Sequence, residues 1–377
     1  MLTRRTFLKG TASLAGAAAL APMPWAWGAS NADTLNILCW EGYNTSTVLD
    51  PFRKAYNATV NAESASSDPA MINKLRAGGT KLWNLINVNQ PWAQGILYPQ
   101  HLITALPKDR FMPYFDNFLP QFKHYNLAFS PDGKDLLGMP QRFGPFSFVV
   151  NTKKISKETA EDQGWNLFLD PKMSKRYGVL TYDNWNLIHI SLTAGLDPFK
   201  KMTSADLDKF KATASTIFKN SAMRIEDLVQ LNQALVSGAI DAYFTGGTYT
   251  ASQARMAGFM NIQGITPKSG PVDGKGGVVW AELTSTVNNP HESPLAQDFL
   301  SFVQKPEIAH LVAFAPGPHN TVAQMGDPAC LKLFTKKELE AVQWDTLDWE
   351  LEHCAQFAPV QSYNELMRLY TVARRNT

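Results

Sequence analysis

Near the start of the chain, the segment NILCWEGYN (residues 36–44) closes a short apolar run with Trp40, Glu41 and Tyr43. Two aromatic faces beside a carboxylate are the parts of a site for an organic cation. Each ring attracts the charge through its quadrupole, by about 0.5–2 kcal/mol, and the acid neutralises it. Asn89 and Gln90 end another apolar run as polar groups and are candidates for the same site. Catalytic chemistry has no such nucleus. The chain contains no G-x-S-x-G elbow, no Walker lysine motif and no H-E-x-x-H. Its seven histidines, at 101, 124, 189, 291, 310, 319 and 353, show no metal-ligand spacing. VDGKGGV (272–278) lacks the lysine–hydroxyl end of a phosphate loop and reads as a β-turn. A binding protein without cofactor or metal is therefore expected, rather than an enzyme.

The elements that must hold these residues alternate. Leu35–Cys39 reads as a buried strand, VLDPFRKAYN as a helix capped within Asn44–Ser46, and ATVNAE as a second strand. PAMINKLRAGG is a helix ended by Gly78 and Gly79, and LWNLINVN is a third strand. Strand–helix–strand with short connections implies parallel pairing in an α/β fold. MPQRFGPFSFVVN (139–151), rich in β-formers and broken by Pro140, Gly144 and Pro145, reads as a segment leaving one domain for the next. Further on come strands at YGVLTYD, AIDAYF and GGVVWAELTSTV. The helices between and after them are NWNLIHISLTAG, IEDLVQLNQALVSG and LAQDFLSFVQ, followed by a helical tail from Lys336. Trp280, inside the last strand, reads as a core residue.

Residues 1–30 read as an address. Arg4 and Arg5, a short Ala-rich segment at Leu14–Leu20, and small residues Ala26 and Gly28 describe a twin-arginine export signal. That segment is too short to span about 30 Å of hydrocarbon. Export to the periplasm is the expectation. The remainder exceeds what one core usually serves, so two domains are expected. A net charge of +2 argues against a nucleic-acid binder, which would need a concentrated basic face. Of the three cysteines, Cys39 reads as a core thiol. Cys330 and Cys354 either pair or stay as buried free thiols.

Taken in order, these segments resemble the periplasmic solute-binding proteins of ABC importers, in particular the spermidine/putrescine-binding group. ILCWEGYN is similar to that group's opening strand with its Trp-x-x-Tyr end. NLFLDPKMSKRYGVLTYD followed by GLDP, LNQALVSGAIDAYFTGG and SPLAQDFLSFVQKPEIA resemble its later motifs in the same order. The resemblance covers essentially the whole mature chain. It implies an α/β protein of the two-lobed, Venus-flytrap type II architecture, each lobe a mixed sheet flanked by helices. Lobe one would take 34–140 and 271–325, and lobe two 141–270 and 326–377. It implies a monomer that hands a small ligand to an inner-membrane permease; a sensor subunit for a membrane signalling protein is the alternative.

The resemblance also places the site. Trp40 and Tyr43 fall on the group's aromatic pair, with Glu41 between them, and Phe244 falls on an aromatic of its Gly-Trp-x-Gly motif. Glu282 falls on an amine-binding acid. Three departures matter. Gly247 occupies the position of a second such acid, and near Trp185, where an acid is expected, only Asp183 is close. Arg142, with Phe143 beside it, stands where the group has uncharged residues; its guanidinium would repel a polyamine and welcome a carboxylate. The implied ligand is a small amine, polyamine-like or zwitterionic, with Glu282 on its cation and Arg142 on its anion.

Overall fold

The computed structural model describes residues 33–65 and 67–375. The export-signal reading lies outside the described residues. One curled sheet runs through the molecule in the order β2-β1-β3-β9-β4-β7-β5-β6, with β10 and β8 added on β4 and β11 on β9. The strands are β1 Thr34–Cys39, β2 Thr59–Ser64, β3 Leu85–Asn89, β4 Met139–Asn151, β5 Tyr177–Leu180, β6 Met223–Ile225, β7 Ala242–Gly247, β8 Ile262–Ile265, β9 Gly277–Thr286, β10 Thr321–Val322 and β11 Cys354–Gln356.

At one end β1 lies parallel between β2 and β3. The helix Ser46–Tyr56 makes the first crossover by burying Val48, Leu49 and Phe52, and Asn57 stops it in the left-handed region. Pro51 sits in the second turn of this helix, later than the first-turn position where its missing N–H is harmless. The second crossover helix, Asp68–Arg76, is capped by Ser67, which accepts from Ala70 N. At the other end β5 lies parallel between β6 and β7. β4 and β9 run antiparallel to each other and join the two ends.

The apolar side chains divide where these two strands cross. Leu35 through Phe143, together with most apolar positions from Ala281 to Leu347, pack into one core. Phe146 through Val278, with Trp280 and Ala355–Ala373, pack into the other. The molecule is thus two lobes joined by β4 and β9. The segment Lys336–Glu352 bridges them. Leu347 packs in the first core, yet Arg255 of the second lobe donates to Glu340 O, and Gln343 brackets the backbone of Gly264. All three cysteines are free and buried; Cys330 packs in the first core and Cys354 beside Gly277, so the pairing alternative does not occur.

Candidate functional site

In open α/β sheets ligands settle at the carboxyl ends of the strands. Here the ends of β1, β3, β5, β6 and β7 all supply residues to one cleft between the lobes, of about 480 Å³. Its floor is the strand crossing. Asn89 of β3 stands opposite Glu282 of β9, and Val322 of β10 opposite Arg142 of β4, in a stretch where the β4–β9 register slips. Arg142 and Glu282 form a two-pronged ion pair, Nε to Oε2 at 2.9 Å and Nη2 to Oε1 at 2.8 Å. Tyr43 Oη donates to Glu282 Oε2 at 2.8 Å, and the guanidinium lies 4.3 Å from the Tyr43 ring centre. Arg142 is only 4 % exposed and Glu282 3 %. Two charges removed from water this completely hold each other in place, and loss of either leaves the other stranded.

The turn after β1 makes one wall. Gly42 adopts φ +95, a left-handed conformation that suits glycine, and lets the chain fold back after Glu41. Trp40 Nε1 donates to Asp68 Oδ1 at 2.9 Å, and Trp92 Nε1 to Oδ2 at 2.9 Å. Asn89 donates to the same carboxylate from its backbone at 3.1 Å and its side chain at 2.8 Å. Asp68 therefore ties two indoles and the end of β3 together. Burial nevertheless outweighs these four donors and pushes its pKa up to about 6.

The second lobe supplies an aromatic wall. Trp185 meets Phe146 edge-on at 4.7 Å, and Tyr249 meets Trp280 edge-on at 5.8 Å. Tyr182, Tyr363 and Met367 extend this wall. Tyr249 Oη donates to Glu41 Oε1 at 2.6 Å, a bond that spans the cleft from one lobe to the other. At the rim Arg374 reaches both Asp183 and Glu226, at 3.4 and 3.3 Å. The lining carries five carboxylates, Glu41, Asp68, Asp183, Glu226 and Glu282, against one guanidinium, Arg142.

Of the residues singled out in the sequence, Trp40, Glu41, Asn89, Arg142, Asp183, Trp185 and Glu282 line this cleft. Tyr43 lies one layer below, beneath Arg142. Phe143, next to Arg142 on β4, points into the first core against Phe122, and Phe244 is enclosed by Trp165 and Phe168 in the second. Both are core aromatics, not cleft walls. Gln90 is spent on the backbone of Val279 and Ala281, where it locks β3 to β9. Trp280, expected in the core, faces the cleft as well as the second core. Glu282 is already held by Arg142 and Tyr43, so it does not stand open for a ligand cation. Sequence reasoning missed Asp68, Tyr182, Tyr249, Glu226 and Tyr363. Tyr182 and Tyr249 follow strand ends, the signal that singled out Trp40; Glu226 falls inside the segment read as the helix IEDLVQLNQALVSG, Asp68 falls just before the helix PAMINKLRAGG, and Tyr363 carries no local signal.

The architecture is that of the two-lobed type II periplasmic binding proteins. Solved structures share it across most of the chain at low sequence identity. A protein described as a spermidine/putrescine ABC transporter of Listeria monocytogenes superposes with TM-score 0.69 at 16% identity, covering 91% of this chain and 100% of its own. The TpPotD lipoprotein (Tp0655) of Treponema pallidum gives 0.68 at 17% identity, covering 91% and 100%. The binding protein MotA of A. tumefaciens B6, in complex with glucopine, gives 0.61 at 13%, covering 90% and 99%. Among curated proteins no sequence matches. The bacterial extracellular solute-binding protein family model matches residues 47–315, and the chain belongs to that family.

Proposed function

We propose that this protein is the solute-binding component of an ABC importer, and that it captures a small amine-bearing solute between its lobes and delivers it to a membrane permease. The observation that carries the reading is the excess of carboxylates over guanidinium in an aromatic-walled cleft. An ammonium held in a cleft is met by both, aromatic faces for its C–H surface and a carboxylate for its charge. The cation site moves from Glu282 to Glu41. Glu282 is neutralised by Arg142, while Asp183 and Glu226 share Arg374. Glu41 has no ion pair among the described residues and is held only by the Tyr249 hydroxyl, with Trp40, Tyr182 and Tyr249 around it. Proteins of the same fold named for spermidine/putrescine transport, or holding glucopine, fit a nitrogen-bearing ligand.

The test is a thermal-shift panel of polyamines, amino acids, betaines and neutral sugars on the mature protein, followed by titration of the hits. Amine-bearing compounds are expected to raise the melting temperature, and Glu41→Gln to weaken the best of them by roughly tenfold or more. Stabilisation by sugars alone, or a Glu41→Gln protein that binds the best amine like wild type, would refute the reading.

A further inference from the structure

We infer that the solute carries an anionic oxygen group, such as a carboxylate, in addition to its amine, and that this oxygen docks on Arg142. The inference rests on the amine reading above and names the other end of the same ligand. A guanidinium has five N–H donors. In Arg142 the Nε donor and one Nη2 donor are taken by Glu282, and Nη1 makes no hydrogen bond among the described residues. The side chain is 5 % exposed and still lines the cleft. A guanidinium donor with no protein acceptor at a cleft wall is open to water or to a ligand oxygen.

The surroundings hold this donor set in place. Both Glu282 oxygens are occupied, Oε2 by Arg142 Nε and Tyr43 Oη, and Oε1 by Nη2. Glu282 is thus a positioning residue that fixes the fork. Gly42 lies close against the free nitrogen: a Cβ there would come within 3.0 Å of Nη1. A ligand with two ammonium ends would set one of them near a fixed positive group whose counter-charge is already engaged. A ligand with one ammonium and one carboxylate satisfies Glu41 at one end and Arg142 at the other. Charge-assisted bonds from an arginine fork to a carboxylate are the strong case of protein hydrogen bonding.

Calorimetric titration with length-matched pairs separates the two. The probes are putrescine against 4-aminobutyrate, cadaverine against 5-aminovalerate, and 1,6-diaminohexane against 6-aminohexanoate. On the wild-type protein the amino acid of a pair is expected to bind about tenfold or more tighter than its diamine. Arg142→Lys, which keeps the charge but loses the fork, should erase most of that advantage. Because Arg142→Ala would strand Glu282 and endanger folding, the second variant replaces both, Arg142→Met with Glu282→Met. Once circular dichroism confirms its fold, it should prefer the diamine. Diamines binding wild type as tightly as their partners, or a folded double variant with the wild-type order, overturn the inference and leave the amine reading standing. Heat from neither class overturns both.

Discussion

Asp68 shows how one residue sets the cleft. Its carboxylate accepts from two tryptophan indoles and from Asn89 twice, so it fixes the faces that a ligand would touch. Burial raises its pKa from 3.8 to about 6. The folded protein then holds this proton over a range where the unfolded chain releases it. The resulting stability is fully present below pH 3.8 and is lost as pH rises to about 6, about 3 kcal/mol in all. Glu350, raised from 4.5 to about 7 by burial, slopes in the same direction, and His189, lowered from 6.5 to about 3, slopes in the other. The difference between wild type and Asp68→Asn isolates the Asp68 part. Urea unfolding from pH 4 to 7 should show wild type losing stability relative to the variant as pH rises. Parallel curves would mean that Asp68 does not titrate in this range. In the sequence Asp68 drew no notice, because its bonds come from Trp40, Asn89 and Trp92, which only the fold brings together. The Arg142–Glu282 pair was illegible for the same reason: each residue drew notice alone, and 140 residues separate them.

At the scale of elements, strands with sustained apolar character were legible. The stretch 139–151 is one strand over its full length, and the helix 228–237 ends at Gly238 in the left-handed region. β6, β8, β10 and β11 were not, since two to four residues carry no usable period. The glycine at 247 is an element-level fact too. It stands opposite Phe146 in the β4–β7 pair, and a Cβ there would lie 2.5 Å from Pro145 O and 3.2 Å from Phe146 Cα. The strand packing leaves no room for the acid that the spermidine/putrescine-binding group carries there. Gly247→Asp should therefore cost about 1–3 kcal/mol or more in denaturant unfolding, and Gly247→Ala should show a similar loss. A Gly247→Asp protein as stable as wild type would show that the backbone yields, and that sterics do not explain the glycine.

For the whole molecule, the two cores meet through β4, β9 and the bridging segment Lys336–Glu352, His319 N donates to Ser252 Oγ between the lobes, and a bond from Tyr249 to Glu41 spans the cleft. Alternating strands and helices made the α/β class legible, and chain length raised the expectation of two domains. The second wall was harder to see, because it draws on Tyr363 and Met367 from the last helix, far along the chain from Trp40. On the proposed function, a cleft so built closes on its solute like a hinge, with the Tyr249–Glu41 contact marking where the two walls meet. Small-angle scattering tests this most directly. The protein is measured alone and saturated with the tightest amine from the panel, with saturation verified by calorimetry on the same sample. A smaller radius of gyration is expected with the amine bound, and no change for Glu41→Gln at the same concentration. An unchanged radius in saturated wild type would contradict capture between closing lobes.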